Sequence, residues 1–293
     1  MKTNWMILLC LGLWACQYDQ QSFAQESTKS AILESPTAIP PLQIDTKQDT
    51  LAKRFAVPSG YFRPQVSQQS FAHYLRQLPL QEHGAKVHYF DGRPKMRSDV
   101  HAAVVKMDVG NRDLQQCADA IMRLRAEYLY KTQQYSQLHF NFTNGFKADY
   151  QKWRAGNRIK VEGNTVSWYS INQKQTSYQS FRRYLNMVFA YAGTLSLEKE
   201  LVPSDINDIQ IGDIFIQGGS PGHAIIVVDV AHKIDGEERL FLLAQSYMPA
   251  QEIHILNNPQ NSEWSPWFSN QIRGRLVTPE WTFDTDKLKR FQE

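Results

Sequence analysis

Two residues in this chain have the types needed for covalent chemistry on a carbonyl. Of its three cysteines, Cys10 and Cys16 fall in an apolar N-terminal leader, so Cys117 stands alone in the body of the chain. It has no partner for an intramolecular disulfide there, and a lone thiol in an exported protein calls for a role. His223 closes the turn Gly218-Gly-Ser-Pro-Gly222 and opens the apolar run Ala224-Ile-Ile-Val-Val228. A core strand has no use for an imidazole at its first residue, whereas an active site does. Thiol and imidazole together make an activated nucleophile: the sulfur attacks a carbonyl and the imidazolium returns the proton to the leaving group.

The surrounding elements must bring the two together. Asp113 followed by Gln116 has the capping-box spacing, which predicts a helix from Asp113 onward with Cys117 at the end of its first turn. The positive end of the helix dipole favours a thiolate there, and the effect fades within a turn. Cys117, Ile121, Leu124 and Tyr128 also form one apolar helical stripe. A small buried hydrophobe is therefore a second role open to the cysteine. A second helix is expected over Tyr178–Ala192, with Tyr178, Phe181, Leu185, Val188 and Ala192 on its apolar face. Strands are expected at Ile209–Gln217, His223–Val230, Arg239–Ser246 and Gln251–Leu256, and a hairpin from Lys86–Phe90 through Asp91-Gly92 to Ala102–Val109. Leu138–Gly145 has strand-like composition, and Lys147–Tyr169 reads as irregular and aromatic. The expected class is α+β, an antiparallel sheet flanked by helices.

With 293 residues, 42% hydrophobic and 21% charged, the chain can bury a sizeable core. A formal charge of +3 without a Lys/Arg run gives no basic stripe for nucleic acid. Residues 1–16 read as a lipoprotein signal: Met1-Lys2, then Trp5 to Ala15, too short for the ~20 residues a bilayer span needs. The leader ends Leu13-Trp14-Ala15-Cys16, which resembles a bacterial lipobox, and Cys16 is the expected lipidation site. Residues 17–50 are polar and read as a disordered tether with a reach of about 30 Å. Residues 51–293 are then a single globular domain, exported and lipid-anchored in the bacterial cell envelope. With no HExxH, CxxC or paired-histidine spacing, no metal and no cofactor are expected.

A helix near a cysteine, then Gly-Asp, a strand, a Gly-rich turn and His-Ala-Ile-Ile-Val-Val resembles the papain-like cell-wall hydrolases of the NlpC/P60 and CHAP type. The resemblance covers Leu114–Tyr128 and Ile209–Ser246. It implies a papain-like core with insertions, Cys117 as nucleophile, His223 as base, and Gln245 on the next strand as the residue orienting the ring through its Nδ1–H. It also implies a cysteine peptidase or amidase acting on cell-wall peptide or amide bonds. Cys117 lacks the usual preceding Asp and following Ser-Gly, and the stretch between cysteine and histidine is long for those families. Over most of its length the chain resembles an uncharacterised family of exported bacterial lipoproteins, domain of unknown function 4846, through Asp113-Leu-Gln-Gln-Cys-Ala-Asp-Ala and His139-Phe-Asn-Phe-Thr-Asn-Gly-Phe. The competing reading is a non-catalytic lipoprotein with a degenerate hydrolase fold that binds cell-wall glycan or peptide. In that reading Trp168 and Trp264 line the Cys117 cleft and stack on the ligand.

Overall fold

The computed structural model describes residues 43–292, so the leader, Cys16 and most of the tether lie outside the described residues. Among the described residues the chain is mixed α and β, with mostly antiparallel sheets and few helices. The main sheet runs, edge to edge, through His101–Val104, His254–Leu256, Arg239–Gln245, His223–Lys233, Ile214–Gln217, Leu288–Phe291 and Leu201–Pro203. Tyr61–Phe62 pairs with the outer part of the His223 strand, and Phe268–Ser269 with the Arg239–Gln245 strand. Every pairing in it is antiparallel.

Alternation along the central strands sorts side chains onto two buried faces, as a pleat of period two requires. Ile214, Ile216, Ala224, Ile226, Leu240, Leu242 and Ala244 join one core with the helices Cys117–Lys131 and Tyr178–Tyr191. Phe215, Ile225, Val227, Phe241 and Leu243 join the other, closed by Phe268, Leu276 and Phe283. A sheet covered on both faces explains why these strands read as continuous apolar runs rather than alternating ones. His223, first residue of its strand, and Gln245, last residue of the antiparallel neighbour, lie at the same end of the sheet and share the parity of the second face.

Several boundaries differ from the sequence reading. The first strand is only Ile214–Gln217, because Asp213 is committed elsewhere: its buried carboxylate takes two bonds from Arg290, at 2.6 and 2.9 Å, and one from the Gln210 N–H. That pair ties the Gly-Asp corner to the C-terminal strand Leu288–Phe291, which enters the sheet beside it. No hairpin joins residues 86–90 to 102–109; His101–Val104 pairs with His254–Leu256 instead. The stretch expected to be irregular holds the helix Tyr150–Arg154 and a regular hairpin, Asn157–Glu162 against Thr165–Ser170. Among the described residues no helix is long and apolar enough to cross a membrane.

Candidate functional site

The helix carrying Cys117 begins at that residue, so Cys117 is its first helical position rather than the end of its first turn. The cap is Gln116: its side chain receives the Asp119 N–H while Asp119 Oδ2 accepts the Gln116 N–H at 3.1 Å. Asp113 serves another purpose, accepting from the Ala250 N–H at 2.7 Å and from Gln116 Nε2 at 3.0 Å. Ser246 Oγ donates to the carbonyls of Gln115 at 3.1 Å and Gln251 at 2.7 Å. These bonds fasten the helix start to the end of the Gln245 strand, which is what sets the height of Cys117 against the sheet.

Cys117 lines a cleft of about 770 Å³ at the end of the sheet. The Ala192–Thr194 corner and the Gly219–Gly222 turn form its walls, and Tyr247, Met248 and Trp281 close it from the second face. The thiol is 6% exposed. Burial, helped by the nearby Asp119 carboxyl, pushes its pKa up to about 11, against the pull of the backbone N–H groups of Ala118, Ala224 and Cys117 itself. The Ala224 amide is the peptide group next to His223, so the sulfur meets the strand at the residue expected to serve it.

The imidazole sits just behind. His223 is 1% exposed, and its ring packs against Tyr247 at 4.8 Å, Trp281 at 5.4 Å and Phe283 at 5.8 Å between centroids. Nε2 stands 2.9 Å from Gln245 Oε1. The nitrogen facing Gln245 is thus Nε2 and not Nδ1, and His223 itself does not border the cleft, which is lined by its neighbours Gly222 and Tyr247. Burial lowers the His223 pKa to about 4, opposed by the Gln245 bond and assisted by the Lys95 charge. The resting pair is a neutral thiol and a neutral imidazole. The helix lies on one face of the sheet and the ring on the other. They approach only around the strand end, and among the described residues no hydrogen bond joins sulfur to ring.

Behind Gln245 lies a polar network that sequence reasoning missed. Gln245 Nε2 donates to Glu280 Oε2 at 2.7 Å and stands 3.3 Å from His254 Nε2. The same Glu280 oxygen accepts from Lys95 Nζ at 2.6 Å, and Lys95 also donates to Gln251 Oε1 at 2.9 Å. Glu280 comes from the C-terminal stretch and Lys95 from the segment before the first main-sheet strand. Their spacing in sequence carried no signal of a meeting. Asp119, two residues after the cysteine, was also missed: it is buried, its Oδ1 has no partner, and burial holds its carboxyl well above the usual range.

The expected aromatic residues lie elsewhere. Trp168, on the second hairpin strand, stacks near Phe146 at 5.6 Å beneath Lys152. Trp264 meets Tyr61 edge-on at 5.7 Å. Neither borders the Cys117 cleft, whose rings are Phe189, Tyr247 and Trp281. Trp168 and Trp264 are held by residues from other segments, Phe146 and Lys152 for the one and Tyr61 for the other, which sequence proximity to the site could not reveal. Among the amide side chains near the helix start that could donate to an oxyanion, Gln116 lines the cleft but spends its amide on Asp113. Gln115 Nε2 is buried and without a partner, its Oε1 accepting from Arg123 at 3.1 Å. Asn111 does not border the cleft.

No curated protein and no solved structure is significantly similar to the chain. The profile of the family described as domain of unknown function (4846) matches residues 51–290, the whole span from the first described helix to the C-terminal strand, and the chain belongs to that family.

Proposed function

We propose that the protein is a cysteine hydrolase, a peptidase or amidase with a papain-like core. Its nucleophile is Cys117, its base His223 and its orienting residue Gln245. The observation that carries this reading is the His223–Gln245 bond at 2.9 Å on a strand whose next amide, that of Ala224, points at the sulfur of an open cleft. A structural cysteine and a structural histidine have no reason to share one strand end with an amide oxygen aimed at the ring.

The chemistry follows from the resting state. His223 Nδ1 takes the thiol proton as sulfur bonds to the substrate carbonyl carbon, and the imidazolium then gives that proton to the departing amine as the C–N bond breaks. Water, deprotonated by the same nitrogen, hydrolyses the thioester and restores the thiol. The Cys117 backbone N–H, at the first helical position where no intrahelical acceptor exists, is turned toward its own sulfur at rest and is a donor for the developing oxyanion. A substrate in the cleft must bring sulfur and ring together around the strand end, because the resting groups are uncharged and unbonded.

The substrate class proposed is a cell-wall peptide or amide, and the setting a bacterial envelope to which Cys16 tethers the domain by lipid. Incubation with cell-wall peptides, followed by intact-mass detection of an acyl adduct on Cys117, tests the reaction. Cys117→Ala should abolish the adduct, and His223→Ala should slow turnover by about 10²–10⁴-fold, the usual worth of general acid–base catalysis. Turnover undiminished in either variant ends the hydrolase reading. Cys16→Ser should move the protein out of the membrane fraction.

A second reading has its own support. The thiol is pushed up to about 11 and His223 is sealed at 1% exposure, which suits a degenerate hydrolase that binds cell-wall peptide or glycan without cleaving it. Cell-wall fragments that bind with no acyl adduct and no cleavage would favour it.

A further inference from the structure

We propose that Glu280, with His254 as a second contact on the same amide, is a positioning residue: it fixes the Gln245 amide and so holds His223 as the Nε2–H tautomer, leaving Nδ1 without a proton. The orientation of an amide and the tautomer of a histidine follow from the network around them, and this network closes on one solution. His254 Nδ1 lies 2.9 Å from the Glu252 carbonyl, which can only accept, so Nδ1 carries the proton. His254 is fully buried and its pKa is driven down to about 3, chiefly by burial, so the ring is neutral and its Nε2 is a bare acceptor. That acceptor faces Gln245 at 3.3 Å, and the Glu280 carboxylate oxygen faces the same Gln245 nitrogen at 2.7 Å.

Two acceptors on one side demand the amino end of the amide there. A flipped Gln245 would set its carbonyl oxygen against a carboxylate and a ring lone pair in a buried site, where unmatched polar groups are costly. Gln245 Oε1 therefore faces His223, and the ring nitrogen 2.9 Å away must be the donor. The opposite tautomer would place a proton on Nδ1, where a base must accept one from the thiol. Lys95 completes the arrangement: its ammonium, 2.6 Å from the same Glu280 oxygen that receives Gln245, keeps the carboxylate in position. The groups act in series, Lys95 on Glu280, Glu280 on Gln245 and Gln245 on His223, with His254 as a second and longer contact on Gln245.

The tautomer assignment stands on the network alone, and its catalytic consequence rests on the hydrolase reading. Nitrogen-15 spectra of histidine-labelled protein distinguish the two neutral tautomers without any substrate. The intact protein should show His223 as Nε2–H only. Glu280→Ala should bring up a measurable Nδ1–H population, whereas Glu280→Gln, whose amide oxygen can still receive both Lys95 and Gln245, should keep the intact pattern. Because Glu280→Ala strands Lys95 without its ion partner, a Lys95→Met, Glu280→Leu double variant removes the pair together and should show the same mixed tautomers. With an acylating peptide, Glu280→Ala should form the Cys117 adduct about tenfold more slowly or worse, and Glu280→Gln within about threefold of the intact rate. An intact protein showing Nδ1–H on His223, or alanine and double variants that keep pure Nε2–H, would overturn the proposal. A Glu280-dependent tautomer in a protein that never forms an adduct sinks the hydrolase reading and leaves the positioning role standing.

Discussion

A neutral thiol beside a neutral imidazole behaves differently from a pre-formed ion pair. With the Cys117 pKa near 11, alkylation should be slow at pH 7 and climb about tenfold per pH unit toward that value, because only the thiolate reacts. His223→Ala should leave this profile nearly unchanged around neutrality, since an imidazole with a pKa of about 4 supplies no counter-charge there. Asp119 is the group that can move the profile. Its carboxyl raises the thiol pKa and caps the helix through Oδ2, and Asp119→Asn keeps an oxygen for the cap while removing the charge. That variant should alkylate faster between pH 8 and 10, measured by mass spectrometry of Cys117. An identical rate profile in the asparagine protein would mean that burial alone sets the thiol. A lone cysteine on an apolar helical stripe leaves two roles open in the sequence. Burial behind an open cleft explains why: a nucleophile at rest and a small core residue look alike until their neighbours are known.

At the scale of elements, the site depends on the turn that delivers His223. Gly222 could not carry a side chain: a Cβ there would come within 2.5 Å of the Gly219 carbonyl, 2.7 Å of Thr194 Oγ1 and 2.8 Å of the Gln217 carbonyl. The turn is thus folded tightly against the Ala192–Thr194 corner, and both form cleft walls. Gly218 is confined in the same way by Glu198, which accepts its N–H at 3.1 Å. Gly222→Ala should destabilise the fold by about 1–3 kcal/mol, the usual cost of overpacking, and should also impair adduct formation at Cys117 by shifting His223. Gly145→Ala, in a turn away from the cleft where nothing approaches the added carbon but φ is +88°, should cost stability without slowing the adduct in protein that remains folded. Equal losses of adduct rate in the two variants would show that the turn adds nothing beyond stability.

Across the whole molecule, buried titratable groups shape the response to pH with opposite signs. His254, with a folded pKa of about 3 against 6.5, keeps its stabilising contribution above pH 6.5 and loses it as pH falls toward 3. At pH 4 the loss from this residue is roughly 3 kcal/mol. Glu200 accepts the Asn141 N–H and is raised to about 7, chiefly by burial. Its contribution is fully present below pH 4.5 and lost as pH rises through 7, roughly 3 kcal/mol. Asp119, raised as well, acts with the sign of Glu200. Single variants separate the terms. His254→Gln relative to the intact protein should gain stability on acidification from pH 7 to 4, and Glu200→Gln should gain on going from pH 5 to 8. Denaturant midpoints across pH give both differences, and a flat difference for either variant would remove that residue from the account.

Period and punctuation in the chain alone determined most of the elements. The apolar runs after Gly212-Asp213 and Gly222-His223, the Gly218–Gly222 turn and the helical stripes at Cys117 and Tyr178 are local patterns, and the matching elements sit within a few residues of where those patterns place them. The start of the Cys117 helix was less legible, since Asp113 has a capping spacing but is claimed by the distant Ala250 amide. The stretch 147–169 hid a hairpin because its aromatic residues mask the alternation that the Gly163 turn completes. Strand order lay beyond the sequence altogether. His101–Val104 could pair with a neighbour in the chain or with His254–Leu256, and burial of a shared edge chose the latter. The same holds at the site. A histidine at a strand mouth and a glutamine on the next strand were visible as a candidate pair. Which ring nitrogen meets the amide, which face of the sheet the ring occupies, and the Glu280–Lys95 support behind it depend on contacts between residues far apart in the chain. Local propensity decides whether a segment is helix or strand, but the partner of a buried polar atom is decided by whatever long-range packing brings within hydrogen-bond reach.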